Sequence, residues 1–345
     1  MIILKIEGMM FMLNVGIIGT GWFSGVHAKI LNKMDGVQIK AICGTSQEKA
    51  DKFAKDFNDV RGYSAVVDML DGEKLDAVYI CVPPFAHGEI ELELLNREIP
   101  FLVEKPLGVN LDIPADILTK LQDQTLITSV GYHFRYRDSV ALLKKELNSS
   151  TLGMVTGGWM GSMPLVPWWR NQSTSGGQFI EQTTHLVDLL RYTVGEVEEV
   201  YSSFGKRSLS EQYENVSVHD VGTVTLKFQN GEIANLSNTC ILPEGDSSVG
   251  LDYYTNEGMF HVGFDGLNSS KKGTTSSFKD EANPYEKENN AFIHAVKTGD
   301  RSMILSNYQD AYKTHAVTVA ALHSAEKGKP IRLSEYLNKG KIVRT

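Results

Sequence analysis

A carboxylate, an imidazole and a second carboxylate stand at i, i+4 and i+7 as Glu181, His185 and Asp188, in the run GGQFIEQTTHLVD. On a helix the three share one face, beside apolar Ile180, Leu189 and Leu190. A carboxylate one turn before an imidazole can fix its tautomer and raise its basicity, which is how a general base is assembled. Gly176 and Gly177, just upstream, let a backbone approach a flat ligand. A second reactive group is Lys105, in Glu104-Lys105-Pro106 directly after an apolar run. A lysine at the end of a buried strand is desolvated on one side, and its ammonium can polarise a carbonyl or bind a developing alkoxide. Pro106 fixes the backbone there and removes a donor. By position alone, Lys105 reads equally as a surface lysine.

The elements that must position these groups begin with residues 13–18, an apolar run that reads as a buried strand. It leads into Gly19-Thr20-Gly21-Trp22-Phe23-Ser24 and then a helical pattern through His27, Ile30, Leu31 and Met34. In a strand–turn–helix unit of this kind the first glycine permits the tight turn. The second lets a pyrophosphate approach the backbone and the helix N-terminus. Ser24 stands at the third glycine position. The next strand, 37–43, should end at the adenosine ribose, where an acid would select NAD. The chain instead offers Gly44, Thr45 and Ser46, with Lys49 on the helix that follows. Hydroxyls and a lysine suit a 2′-phosphate and lean towards NADP; alternatively Gly44 only makes room, and either NAD or NADP binds.

Alternation continues with helices over 50–57, 65–70, 86–96 and 111–124, and strands over 76–82, 100–103 and 126–130. Interleaved strands and helices predict a parallel sheet covered on both faces, with ligands at the carboxyl ends of its strands. The glycine turn, Val82-Pro83-Pro84 with His87, and Glu104-Lys105 all fall at such ends. His27 reads as a helix residue near the phosphates. His87 reads as either structural or facing the nicotinamide.

After Gly131 the pattern changes to strands over 154–161, 197–205, 221–228 and 232–239, the last two joined by an Asn230-Gly231 hairpin signal. A further pair is expected over 249–254 and 258–264. Residues 268–283, rich in Ser, Thr, Lys and Gly, read as an exposed loop. Helices are expected from Gly176-Gly177 through Tyr192, over 287–298, and from Ser306, capped with Gln309, to before Gly328. The fold class is therefore an α/β Rossmann domain followed by an α+β domain with a large, mostly antiparallel sheet. Tyr132, His133, Arg135 and Tyr136 should border the cleft, unless Arg135 ties the domains together. Trp168, Trp169 and Arg170 could stack on a sugar and bind its hydroxyls or a carboxylate. They fit a packed loop base or subunit interface equally well. Tyr285 and Glu288 read as supporting or structural residues.

Taken together these residues resemble the Gfo/Idh/MocA family of NAD(P)-dependent oxidoreductases, from Leu13 almost to the end of the chain. The resemblance rests on Gly19-Thr20-Gly21 with His27, on Glu104-Lys105-Pro106, on Gly131 followed by Arg135-Tyr136, and on Gly176-Gly177 through Asp188. It implies that Lys105 lies by the nicotinamide and substrate hydroxyl, often before a cis proline, and that Glu181 and His185 form the acid/base pair. It implies hydride transfer between NAD or NADP and a secondary alcohol or ketone of a sugar, sugar derivative or cyclitol. It also implies a homodimer or homotetramer. The family's usual Asp is Glu181 here, and its usual Gly is Thr183, so the substrate does not transfer from other members. The alternative is a non-catalytic NAD(P)-binding sensor or regulator of the same fold, which would not need Lys105, Glu181 and His185 together.

The chain has 345 residues and a formal net charge of −8. That length suits two domains, a nucleotide-binding unit over 13–131 and a substrate and oligomerisation unit over 132–345. No basic stripe marks a nucleic-acid surface, and no apolar run is long enough for a bilayer. The 3 cysteines, Cys43, Cys81 and Cys240, lack metal-ligand spacing. They read as reduced, structural residues of a cytoplasmic protein with no metal, which disfavours a zinc alcohol dehydrogenase. Residues 1–12 make a poor signal peptide and read as a dispensable extension.

Overall fold

The computed structural model describes residues 12–122 and 124–342. The expected extension, apart from Met12, lies outside them. Strands β1 (Leu13–Ile18), β2 (Val37–Cys43), β3 (Arg61–Tyr63), β4 (Ala77–Ile80), β5 (Phe101–Val103) and β6 (Thr128–Val130) form one sheet in the order β3-β2-β1-β4-β5-β6. Every pairing in it is parallel. The chain starts at β1, fills one side and returns to the other at β4. The loops after β1 and β4 therefore diverge and leave a crevice. All four residues of β4 are buried, as a strand covered on both faces requires.

The second sheet holds β7 (Leu152–Met160), β8 (Val197–Gly205), β9 (Val221–Phe228), β10 (Ile233–Thr239), β11 (Ser248–Thr255), β12 (Gly258–Gly263), β13 (Gly266–Lys271), β14 (Thr274–Phe278) and β15 (Ile331–Arg332). Their order is β14-β13-β12-β11-β7-β10-β9-β8-β15, antiparallel except where β7 meets β10. The expected Asn230-Gly231 hairpin joins β9 to β10, with Gly231 at a φ of +98°. Alternating residues such as Val155, Leu226, Leu236, Leu251 and Phe260 face one buried core.

Three expectations are corrected. Residues 268–283 are largely not a loop but the hairpin β13–β14 at the sheet edge. All five residues of β14 are exposed, so the strand has no buried face to imprint a period of two on its sequence. The second C-terminal helix is Tyr308–Lys327, capped by Asn307, whose side chain accepts from the Asp310 N–H at 2.9 Å. Ser306 lies one residue before that cap: its carbonyl pairs with Val130 of β6, and its buried hydroxyl has no hydrogen-bond partner. The helix expected from the paired glycines through Tyr192 is broken into Gln178–Glu181 and Thr184–Thr193.

The C-terminal helices bind the halves together. Phe292 and Ile293 of the helix Pro284–Thr298 pack against Leu13, Val15 and Ile17 of β1. The helix Tyr308–Lys327 gives Tyr308 and Ala311 to the core of the first sheet and Ala316, Val317 and Ala320 to that of the second.

Glu288, on the helix Pro284–Thr298, is fully buried, and neither carboxyl oxygen has a hydrogen-bond partner. Burial, reinforced by Glu104 and Asp188, pushes its carboxyl well above the usual range, so the folded protein holds it as the neutral acid. A carboxyl with a raised folded pKa contributes its full stability below the unfolded value of about 4.3 and loses it as pH rises. Glu288→Gln should therefore raise Tm at pH 7, by a margin that shrinks towards pH 4.5. Thermal melts of both proteins across that range check this. A difference that does not change with pH would mean that Glu288 is ionised in the fold.

Candidate active site

The nucleotide turn is built as its glycines require. Gly19 takes a φ of +115°, and a Cβ there would fall 2.2 Å from the Cys81 carbonyl oxygen. A Cβ on Gly21 would meet nothing within 4 Å. The helix Trp22–Leu31 begins at Gly21 with no side-chain cap and no acidic residue in its first turn. Its first N–H groups thus face the crevice unpaired by protein side chains, as an anionic pyrophosphate needs. At the end of β2, Thr45 and Lys49 are exposed, and the Lys49 ammonium donates to the Thr45 hydroxyl at 3.1 Å. Ser46 caps the next helix by accepting from the Lys49 N–H. The residues present therefore fit a dinucleotide on the observed cradle.

Lys105 stands two residues after the end of β5, and its peptide bond to Pro106 is cis. Its ammonium donates to the Glu181 carboxylate Oε1 at 3.0 Å and to the Glu181 backbone carbonyl at 2.8 Å. An ammonium has three N–H groups, so one is left for a ligand. The Phe23 ring lies 5.8 Å from the ammonium and ties it to the nucleotide turn. Glu181 is itself held from the other side by the Trp169 indole N–H, 2.9 Å from Oε2. Gln178 anchors the short helix by donating to the Thr239 carbonyl at 2.9 Å, and Asn238 donates to Gln178. Glu181 is thus fixed to the carboxyl ends of β7 and β10.

His185 does not pair with Glu181. Between them the Thr183 N–H bonds to the Gln178 carbonyl, five residues back, and the His185 N–H to Gln182, three back. This π-type step rotates Glu181 off the face of the following helix. The imidazole is instead caged by rings. It stacks on Phe134 at 4.8 Å and Trp159 at 6.1 Å and meets His133 edge-on at 4.9 Å. Its Nδ1 has no partner. Burial first, then Lys105 and His133, lower its pKa well below the ordinary histidine value, so the imidazole is neutral.

Other sequence candidates fall elsewhere. Asp188 takes a bidentate Arg135 contact at 2.6 and 2.7 Å and a Thr314 hydroxyl at 2.8 Å, so it faces the core rather than a ligand. Arg135 is buried, also reaching Asp310 and the Leu305 carbonyl, and the domain-tying reading of it is the one the geometry matches. Tyr132 is fully buried with its hydroxyl on Thr184. Trp169 is 1% exposed, which leaves no open ring face for a sugar. Trp168 packs beside the Trp169 and Met163 cluster, and Arg170 lies over the Tyr213 ring at 4.9 Å. The paired glycines crowd their own chain: a Cβ on Gly176 would sit 2.9 Å from Ile180.

Val82 and Pro83 lie half-buried after β4. His87, beyond them, is buried and bonded to Glu91 at 2.6 Å. His27 is buried between Glu104 at 3.0 Å and Asn289, not open at the phosphate turn. Glu104 also accepts the Lys105 N–H, and a Cβ on Gly131 would fall 2.7 Å from its carboxylate. Sequence reading overlooked Phe134, Trp159 and Phe264. Their only signal was aromatic character in the turn after β6, along β7 and just past β12. Among the described residues no group of His, Cys, Asp and Glu is arranged to hold a metal.

The chain is similar to known proteins over both of its sheets. Residues 13–132 match the family model described as an oxidoreductase family with an NAD-binding Rossmann fold, and residues 143–261 match the GFO/IDH/MocA C-terminal domain. An inositol 2-dehydrogenase of Mycolicibacterium vanbaalenii is 26% identical, over 92% of this chain and 94% of its own. A myo-inositol 2-dehydrogenase of Thermotoga maritima is 24% identical, over 66% of this chain and 68% of its own. A levoglucosan dehydrogenase solved in complex with NADH superposes with a TM-score of 0.82 at 20% identity, covering 93% of this chain and 98% of that one, a likeness of fold. With both domain models matched in order, and with the glycine turn, Lys105 and His185 gathered at one crevice, the chain belongs to the Gfo/Idh/MocA family of oxidoreductases.

Proposed function

We propose that the protein transfers hydride between a nicotinamide cofactor and a secondary alcohol or ketone of a sugar, sugar derivative or cyclitol. The observation that carries this reading is one crevice holding an ammonium with an unspent N–H and a neutral, caged imidazole, beside an uncapped helix N-terminus. The inositol and levoglucosan dehydrogenases among its relatives support the substrate class. A bound nicotinamide supplies the hydride acceptor or donor. Lys105 directs its free N–H at the substrate oxygen and stabilises negative charge developing there. His185, neutral at ordinary pH, takes the hydroxyl proton. Glu181 balances the Lys105 charge and fixes its direction, and Trp169 holds Glu181. In the reducing direction the same groups return the proton.

Thr45, Ser46 and Lys49, in place of an acid at the end of β2, favour the 2′-phosphate of NADP. The chain divides at Gly131 into nucleotide and substrate units, with the C-terminal helices leaning back on the first. Met154, Tyr201, Ile233, Tyr254 and Met259 stand exposed on five strands of the large sheet, which fits a second copy packed there as a homodimer or homotetramer. Three unpaired cysteines suit the reducing cytoplasm. No helix among the described residues is long and apolar enough to cross a membrane.

A turnover screen offering NAD⁺ and NADP⁺ with sugars and inositols tests the activity and the cofactor preference together. NADP⁺ should give the higher kcat/KM. Lys105→Ala and His185→Ala should each lower turnover by about 10²–10⁴ with cofactor binding retained. Wild-type rates in both would sink the assignment, and cofactor binding without any turnover would favour the sensor reading. Sedimentation of the same preparation as a monomer would remove the oligomer. Trp169→Phe keeps an aromatic ring but deletes the N–H to Glu181. Its kcat should fall about tenfold, the scale of a lost hydrogen bond to a charged group, with cofactor affinity unchanged. An unchanged kcat would make Trp169 a packing residue only.

A further inference from the structure

An aromatic surface runs from the nucleotide turn past His185. Phe23 faces Tyr285 at 6.3 Å, Tyr285 stacks on His133 at 4.0 Å, and His133 meets His185 at 4.9 Å. Beyond His133 it opens into a cavity of about 430 Å³ walled by His133, Phe134, Phe264 and Tyr285 and bounded by Asp280 and Glu281. That size is ordinary for a small-ligand site, about 300–1,000 Å³. Aromatic faces suit the C–H surface of a ring polyol.

The polar groups decide what such a ring can carry. His133 is buried with an unpartnered Nδ1. Burial, then Lys105 and Arg137, lower its pKa to about 3, so it brings no positive charge. Among the described residues Arg137 is the one cation in the wall, its charge is matched by Asp280, and three of its five N–H groups are engaged. Its Nε pairs with Asp280 at 3.0 Å, and its two terminal nitrogens donate to the Gly263 and Phe264 carbonyls. Its guanidinium also lies 5.3 Å from the Phe134 ring centre. Asp280 is held further by the Ser139 N–H and hydroxyl at 2.8 and 2.6 Å. Glu281 stands exposed at the rim. With Arg137 cancelled by Asp280, Glu281 leaves the wall net negative. A phosphate or carboxylate entering here finds among the described residues of the wall no cation without a carboxylate partner and meets a like charge, whereas hydroxyl or ammonium groups find an acceptor.

We propose that this cavity holds the non-reacting part of the substrate and selects ring polyols that carry neither phosphate nor carboxylate. The proposal rests on the oxidoreductase reading of Lys105 and His185. It is tested with one sugar offered as the free, amino, phosphorylated and uronic acid forms, comparing kcat/KM. The free and amino forms should exceed the two anionic forms by about tenfold or more. Glu281→Lys should raise the anionic-to-free ratio by about tenfold. Anionic forms preferred by the wild type, or a ratio indifferent to Glu281→Lys, overturns the selectivity and leaves the oxidoreductase reading standing. No turnover of any sugar or cyclitol overturns that reading and this one with it.

Discussion

The ion pair between Lys105 and Glu181 is the contact on which the site depends, because it joins the end of β5 in one sheet to the helix seated on the other. Removing two charges from water is expensive, and their attraction repays that only when the remaining donors and acceptors are also satisfied. The structure meets that condition twice. The Glu181 backbone carbonyl takes a second Lys105 N–H, and the Trp169 indole takes the second carboxylate oxygen. The ammonium is thereby aimed, with one N–H in reserve. Its strand-end neighbour Glu104 is fixed separately by His27, beneath a glycine that permits the approach.

The imidazole is set by the opposite principle. His185 has rings instead of a carboxylate around it, and the nearby positive charge of Lys105 further disfavours its protonation. A neutral imidazole beside an ammonium is an acceptor and a donor that do not neutralise each other, as the proposed proton transfer and oxyanion stabilisation require. Glu181, whose spacing first implied a bond to His185, instead divides its two oxygens between Lys105 and Trp169.

Holding these groups in register needs the halves to stay fixed, and buried charge networks contribute to that. Arg135 joins Asp188, Asp310 and the Leu305 carbonyl, while Arg191 joins Glu196, Asp310 and Thr314. Both networks converge on Asp310, near the start of the helix that packs against both sheets. Arg135, read from the sequence as either bordering the cleft or tying the domains, is part of this network.

By itself the amino-acid sequence determined the parallel sheet, the glycine turn, the Asn230-Gly231 hairpin and the placing of Lys105 at a strand end. Each of these is a local pattern: an apolar run, a residue with special backbone freedom, or a fixed short spacing. Only the tertiary structure decided the partners of Glu181, the aromatic cage of His185, the hairpin at β13–β14 and the burial of Arg135 and Trp169. A one-residue shift in helical hydrogen bonding at Thr183 separates Glu181 from His185, and no spacing rule registers it. The cage draws Phe134, Trp159 and His185 from three distant segments. Burial and pairing across such separations are properties of the packed chain, set by which surfaces meet after the local elements have formed.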